Sequence, residues 1–284
     1  MSRFTTSDGL ALAWEEEGEG LPILCLPGLT RNARDFDDLG AALGRRHRLI
    51  RLTMRGRGAS DRDPDPMNYS VPVEVRDVLE FLGFLGLERV VIVGTSRGGL
   101  IAMVLAAAAP DRLMGVLLND VGPELGSEGL ERIRGYLGVA PRARSHEEAA
   151  RALEATLGAD FPGLPPEKWL ECARRWFDET EDGLALNYDP RLREPFEAGL
   201  AEPAPDMWPL FDALGHVPVA VVRGENSNLL TRDTLVRMRE RRPDLIVAEV
   251  PNRGHVPFLD EPEALAALDE LISRVEAAEP AAGA

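Results

Sequence analysis

Ser96 stands in Gly94-Thr95-Ser96-Arg97-Gly98, with the β-branched run Val90 to Val93 before it and the small apolar stretch Leu100 to Ala109 after it. A serine hydroxyl becomes a useful nucleophile when a base lies within hydrogen-bond reach and a third group holds that base in the right tautomer. The G-x-S-x-G spacing suits such chemistry when it lies between a strand and a helix. Glycines two residues either side then let strand and helix pass where a Cβ would collide, and the hydroxyl projects above the sheet edge. The free N–H groups at the start of the following helix face a developing oxyanion, which makes the backbone N–H of Arg97 a candidate donor. The competing reading is a glycine-flanked turn in some other doubly wound protein. The partners available elsewhere in the chain weigh against it.

Four histidines could serve as base. His47 begins a strand beside arginines, His146 lies in a helical stretch and His216 precedes a strand at its amino edge. Only His255, in Asn252-Arg253-Gly254-His255, follows the last strand in a glycine-flexed loop at the carboxyl edge, where Ser96 also points. Asp120 ends the apolar run Leu113 to Asn119, and ligand-facing residues in open α/β sheets lie at that edge. Pro27-Gly28-Leu29 ends an early strand, Pro22 to Leu26. A loop there can aim a second N–H at the nucleophile, and Leu29 is the candidate for it.

These residues need a scaffold that brings strand ends together. An opening hairpin turns at Ser7-Asp8-Gly9, and strands at 22–26, 47–52, 90–93 and 113–120 then alternate with helical segments at 36–43, 71–87 and 100–109. That alternation predicts an α/β fold, a mostly parallel doubly wound sheet of about eight strands. Residues 122–208 interrupt it with helical patterns near 129–137, 145–157 and 167–180 and no convincing buried strand, and are expected to form an inserted helical cap. The aromatics Phe161, Trp169, Trp176, Phe177 and Trp208 read as cap core, with pocket lining as the alternative. The sheet resumes at 217–222 and 245–250, and a last helix runs from 261 to about 277. The division is thus core 1–121, cap 122–208 and core 209–284, with 278–284 expected to fray. The glycines of Arg55-Gly56-Arg57-Gly58 are a weak phosphate-cradle signal and read better as a structural loop beside the site.

The formal charge of −16 leaves no basic stripe for nucleic acid or for anionic membrane. Two cysteines, Cys25 and Cys172, in apolar settings suggest no disulfide framework. The N-terminus lacks a signal-like apolar core, so a soluble, cytoplasmic protein acting on a small molecule is expected, with self-association left open.

Together, Pro27-Gly28, Gly94-Thr95-Ser96-Arg97-Gly98-Gly99, the helical insert, Arg223-Gly224-Glu225-Asn226-Ser227-Asn228 and Gly254-His255 make the chain resemble the α/β-hydrolase fold superfamily over nearly its whole length. The resemblance implies Ser96 as nucleophile, His255 as base, the Leu29 and Arg97 N–H groups as oxyanion hole, and no cofactor or metal. It departs at the acid. The family most often carries Asp where Asn228 stands here, and an amide cannot stabilise an imidazolium by charge. Haloalkane dehalogenases place the acid after the preceding strand, and residues 110–120 resemble that segment, with Asp120 at the acid's position. Asp120 is assigned accordingly, with Asn228 and Glu225 as alternatives. The implied activity is hydrolysis of a small carboxylic ester or lactone. The alternatives are carbon–carbon hydrolysis of ring-fission products and a catalytically weak ligand-binding member, which Asn228 would favour. Dehalogenase and epoxide hydrolase chemistry is set aside because their elbow residue is Asp.

Overall fold

The computed structural model describes residues 1–43 and 46–278. Strands β1 (Ser2–Thr5) and β2 (Ala11–Glu17) form the opening antiparallel hairpin, with Gly9 at φ +90° in its turn. The alternation follows as β3 (Pro22–Leu26), α1 (Asp37–Leu43), β4 (Arg48–Leu52), α2 (Val71–Phe84), β5 (Val90–Thr95), α3 (Arg97–Ala108) and β6 (Leu113–Asn119). Next come α4 (Ser127–Tyr136), α5 (His146–Leu157), α6 (Pro166–Trp176), β7 (Phe177–Thr180), β8 (Gly183–Leu186), α7 (Arg193–Ala201) and α8 (Trp208–Asp212). The chain returns to the sheet through β9 (Val219–Gly224), α9 (Arg232–Arg241), β10 (Ile246–Val250) and α10 (Pro262–Ala278). The fraying expected of the tail concerns residues that, beyond Ala278, lie outside the described set.

Eight strands pair in the order β1-β2-β4-β3-β5-β6-β9-β10. Strand β2 is antiparallel to both neighbours and every other pairing is parallel. The chain runs from β3 outward to β4 and then crosses back to β5 on the other side, so the carboxyl ends of β3 and β5 flank a topological switch point, where ligand sites form. Every residue of β5 is buried. Successive side chains point to opposite faces: Val90 and Ile92 pack with α2 and α3, whereas Val91 and Val93 pack with α1 and α10. Because both faces are covered, a continuous β-branched run is stable there without polar alternation.

The segment between β6 and β9 contains the expected helices and corrects one of them. The pattern read as helix to Thr180 ends at Trp176, and Phe177–Thr180 pairs with Gly183–Leu186 as an antiparallel hairpin. Asp178, Glu179, Glu181 and Asp182 would crowd negative charge onto a helix C-terminus, where the backbone dipole disfavours it. Gly183, at φ +126°, takes the left-handed turn instead. Trp208 also departs from the cap-core expectation: it packs edge-on against Phe211 beside the α2–α3 side of the sheet. Helix α6 is fastened to the sheet layer by charge. Lys168 Nζ lies 2.7 Å from Asp38 and 2.8 Å from Asp260, and Arg175 grips Asp38 through two bonds of 2.7 and 3.0 Å. No helix among the described residues is long and apolar enough to cross a membrane.

Candidate active site

The turn after β5 has the close approach that its glycines suggest. A Cβ on Gly98 would stand 2.0 Å from the Leu26 carbonyl oxygen, and one on Gly94 would stand 2.6 Å from that of Gly98. Ser96 itself sits at φ +50°, a conformation costing on the order of 1–3 kcal/mol that surrounding contacts must hold. Its N–H donates to the Asn119 carbonyl at 2.9 Å, which fastens the elbow to the end of β6. The hydroxyl is thereby turned toward the loop after β10. His255 Nε2 lies 3.1 Å from Ser96 Oγ, and His255 Nδ1 lies 2.7 Å from Asp120 Oδ2.

Asp120 is fully buried and, like Ser96, occupies the left-handed region, at φ +55°. Its Oδ1 accepts the Gly224 N–H at 2.9 Å, and its Oδ2 accepts the Ser227 hydroxyl at 2.5 Å as well as the imidazole. All three donors are neutral groups when the ring is the Nδ1–H tautomer. Asn228, the sequence alternative, makes no hydrogen bond to the ring; its backbone carbonyl oxygen stands where a Cβ on Gly126 or Gly129 would come, within 2.2 and 2.9 Å. Glu225 is exposed and accepts the Asn252 N–H. Thus the structure brings Ser96, His255 and Asp120 together and leaves Asn228 and Glu225 apart. Ser227, which sequence reasoning passed over, is the residue of the β9 loop that meets the acid.

On the other side of Ser96, the loop after β3 approaches closely: a Cβ on Gly28 would stand 3.8 Å from Ser96 Cβ. The Leu29 carbonyl accepts Arg57 Nε at 2.7 Å. Arg57 is in turn bound to Glu74 at 2.7 Å, and the other oxygen of Glu74 accepts Arg97 Nε at 2.6 Å. One buried carboxylate on α2 therefore ties the loop carrying Leu29 to the residue that follows Ser96. Burial works to raise the Glu74 carboxyl, but the charges and hydrogen bonds of Arg57 and Arg97 outweigh it and hold it below its ordinary value. The neighbouring Arg55 is also fully buried, bonded at 2.6 Å by both oxygens of Asp77 and at 2.5 Å by Asp63. The Arg55 to Gly58 segment is thus the structural loop expected. Its arginines were the missed feature, because a Glu in the first turn of α2 looks like any helix-start acid.

Among the described residues, cavities lie where the insert meets the carboxyl edge of the sheet and the loop after β3. A narrow one of about 50 Å³ is bordered by Thr95, Asn119 and His255 from the sheet and by Phe161, Trp169 and Trp176 from the insert. A larger one, about 300 Å³, is lined by Leu153, Phe177, Leu186 and Tyr188 among others. Arg31, Leu157 and Trp176 border both. Phe161 and Trp169 are at once insert core and cavity wall. A serine next to a histidine, a buried carboxylate behind it and an apolar space alongside can carry out acyl transfer to a hydroxyl and on to water.

Residues 23–268 match the model of the family described as the alpha/beta hydrolase family. The chain is 37% identical over 261 residues to the 3-hydroxybutyrate-oligomer hydrolase of Cupriavidus necator, a match covering 89% of this chain and 88% of that protein. It is 27% identical to the 2-(acetamidomethylene)succinate hydrolase of Mesorhizobium japonicum over 90% of this chain and 88% of that one. Its structure is similar to the crystal structure of an alpha/beta hydrolase from Novosphingobium aromaticivorans, with a TM-score of 0.90, 46% identity and coverage of 96% and 97%.

Proposed function

The chain belongs to the alpha/beta hydrolase family, and we propose that within it the protein is a serine hydrolase that cleaves a small carboxylic ester or lactone through an acyl-enzyme on Ser96. The observation that carries this reading is the continuous relay from Ser96 Oγ through His255 to Asp120, with contacts of 3.1 and 2.7 Å. Ser96 Oγ attacks the carbonyl carbon as its proton passes to His255 Nε2. Asp120 stabilises the imidazolium that forms, and the Leu29 and Arg97 N–H groups receive the oxyanion. On collapse the bond to the leaving oxygen breaks and that oxygen takes the proton from His255. Water, giving its proton to His255, then attacks the acyl carbon. The acid leaves as the proton returns to Ser96.

The relative named for 3-hydroxybutyrate oligomers suits this chemistry, because hydroxy acids oligomerise through ester bonds. The experiment is turnover of 4-nitrophenyl acetate and butyrate together with labelling by a fluorophosphonate, read by mass spectrometry. The reading requires turnover that Ser96→Ala abolishes and an adduct on Ser96. An unlabelled Ser96 in folded protein would sink it.

A further inference from the structure

We infer that Arg31 anchors a free carboxylate of the substrate, so that the esters cleaved at Ser96 carry an acid group close to the scissile bond; this rests on the serine-hydrolase reading above. Position is the first support. The point where a Gly28 Cβ would stand is 3.4 Å from Arg31 Cγ and 3.8 Å from Ser96 Cβ, so the stem of Arg31 starts beside the nucleophile. From there the side chain reaches the border between the two cavities and lines both.

Orientation is the second. The guanidinium carbon lies over the Trp176 ring, 3.4 Å from its centroid. A cation held over an aromatic face keeps its N–H groups for the forked contact that a carboxylate prefers. Unmet capacity is the third. Among the described residues its ion pair is a 3.7 Å approach of Nε to Asp35, too long for a hydrogen bond. Arg175, the other cation bordering the narrow cavity, is by contrast fully engaged by Asp38. Arg142 borders the larger cavity but is exposed, where water competes for it.

Asp35 is a weak rival for the guanidinium. Burial pushes its carboxyl above the ordinary value, against the charge of Arg31 and a 3.2 Å hydrogen bond from Trp176 Nε1. The apolar walls contributed by Leu153, Leu157, Phe177 and Leu186 would take the hydrocarbon between acid and ester. The substrate class is therefore an ester of a short, branched or linear carboxylic acid that keeps one free carboxylate.

The test uses 3-acetoxybutyrate and its uncharged isostere 3-acetoxybutyramide, with binding measured calorimetrically on full-length Ser96→Ala. The acid should bind roughly ten- to a hundred-fold more tightly than the amide, as one hydrogen-bonded ion pair provides. Adding Arg31→Gln should erase the difference, and Arg31→Lys, which keeps the charge but not the planar fork, should retain part of it. If Arg31→Gln fails to fold, a reduced but measurable preference in Arg31→Lys carries the proposal. Equal affinities for acid and amide in Ser96→Ala, or a preference that survives the Arg31 substitutions undiminished, overturn it. Because these affinities are read without turnover, failure of the hydrolase reading shows separately, as inability of the unaltered protein to cleave either compound.

Discussion

Two buried carboxylates flank Ser96 and are treated in opposite ways. Glu74 lies between two guanidinium groups, Arg57 and Arg97, so its charge is already matched in the resting molecule. Asp120, just as buried, is surrounded by a backbone N–H, a hydroxyl and an imidazole. A carboxylate with fixed counter-ions holds structure. One whose partners are neutral keeps its field available for a positive charge that appears only during reaction, which is what a base beside a nucleophile must become.

That contrast can be broken by exchanging charge for amide at each site. Asp120→Asn leaves the shape of the site but removes the field and favours the wrong tautomer; kcat for 4-nitrophenyl butyrate should fall about 10⁴-fold with little change in melting temperature. A loss below tenfold would mean that Asp120 only orders the β6 loop. Glu74→Gln strands Arg57 in the interior without its carboxylate. Urea unfolding should show a loss of about 3–5 kcal/mol, while kcat of the folded fraction falls less than in Asp120→Asn. If Glu74→Gln instead stays stable and loses more kcat, the two acids have been assigned the wrong way round.

Smaller changes sharpen the picture. Ser227→Ala removes one of the three donors to Asp120 and should lower kcat about tenfold, in line with about 1.4 kcal/mol for a hydrogen bond to a charged group. Asn228→Asp should leave steady-state kinetics within about twofold, since that half-buried side chain makes no hydrogen bond to His255, whose Nδ1 is already held by Asp120. Activation by this substitution would return the acid's role to the β9 loop.

Ser96, the strand before it and the helix after it were legible because their signals are local: glycines where backbones nearly touch, a β-branched run covered on both faces, an alanine-rich helix. His255 could be chosen from four histidines because in a parallel sheet the carboxyl edge is shared by every strand, and order along the chain tells which loops lie there. The choice between Asp120 and Asn228 could be framed on the same grounds. It needed the sheet order for an answer, because β6 lies between β5 and β9 and brings the end of its own loop beneath the imidazole.

What stayed hidden depends on side-chain direction between segments far apart in the chain. Ser227 is one hydroxyl among the polar residues of a loop, and nothing local says that it turns inward to Asp120. Arg31 lies against Trp176, and Arg57 and Arg97 converge on Glu74, only after the sheet has closed. The acidic run after Trp176 has a helical pattern in sequence but forms a hairpin, because periodicity carries no information about a hairpin partner. The residue types and spacing thus determined the hydrolase family and the edge of the sheet at which the candidate residues gather. The tertiary structure decided which carboxylate faces the base and which cation is left facing the cavity, because buried charges are settled by their neighbours in space rather than in sequence.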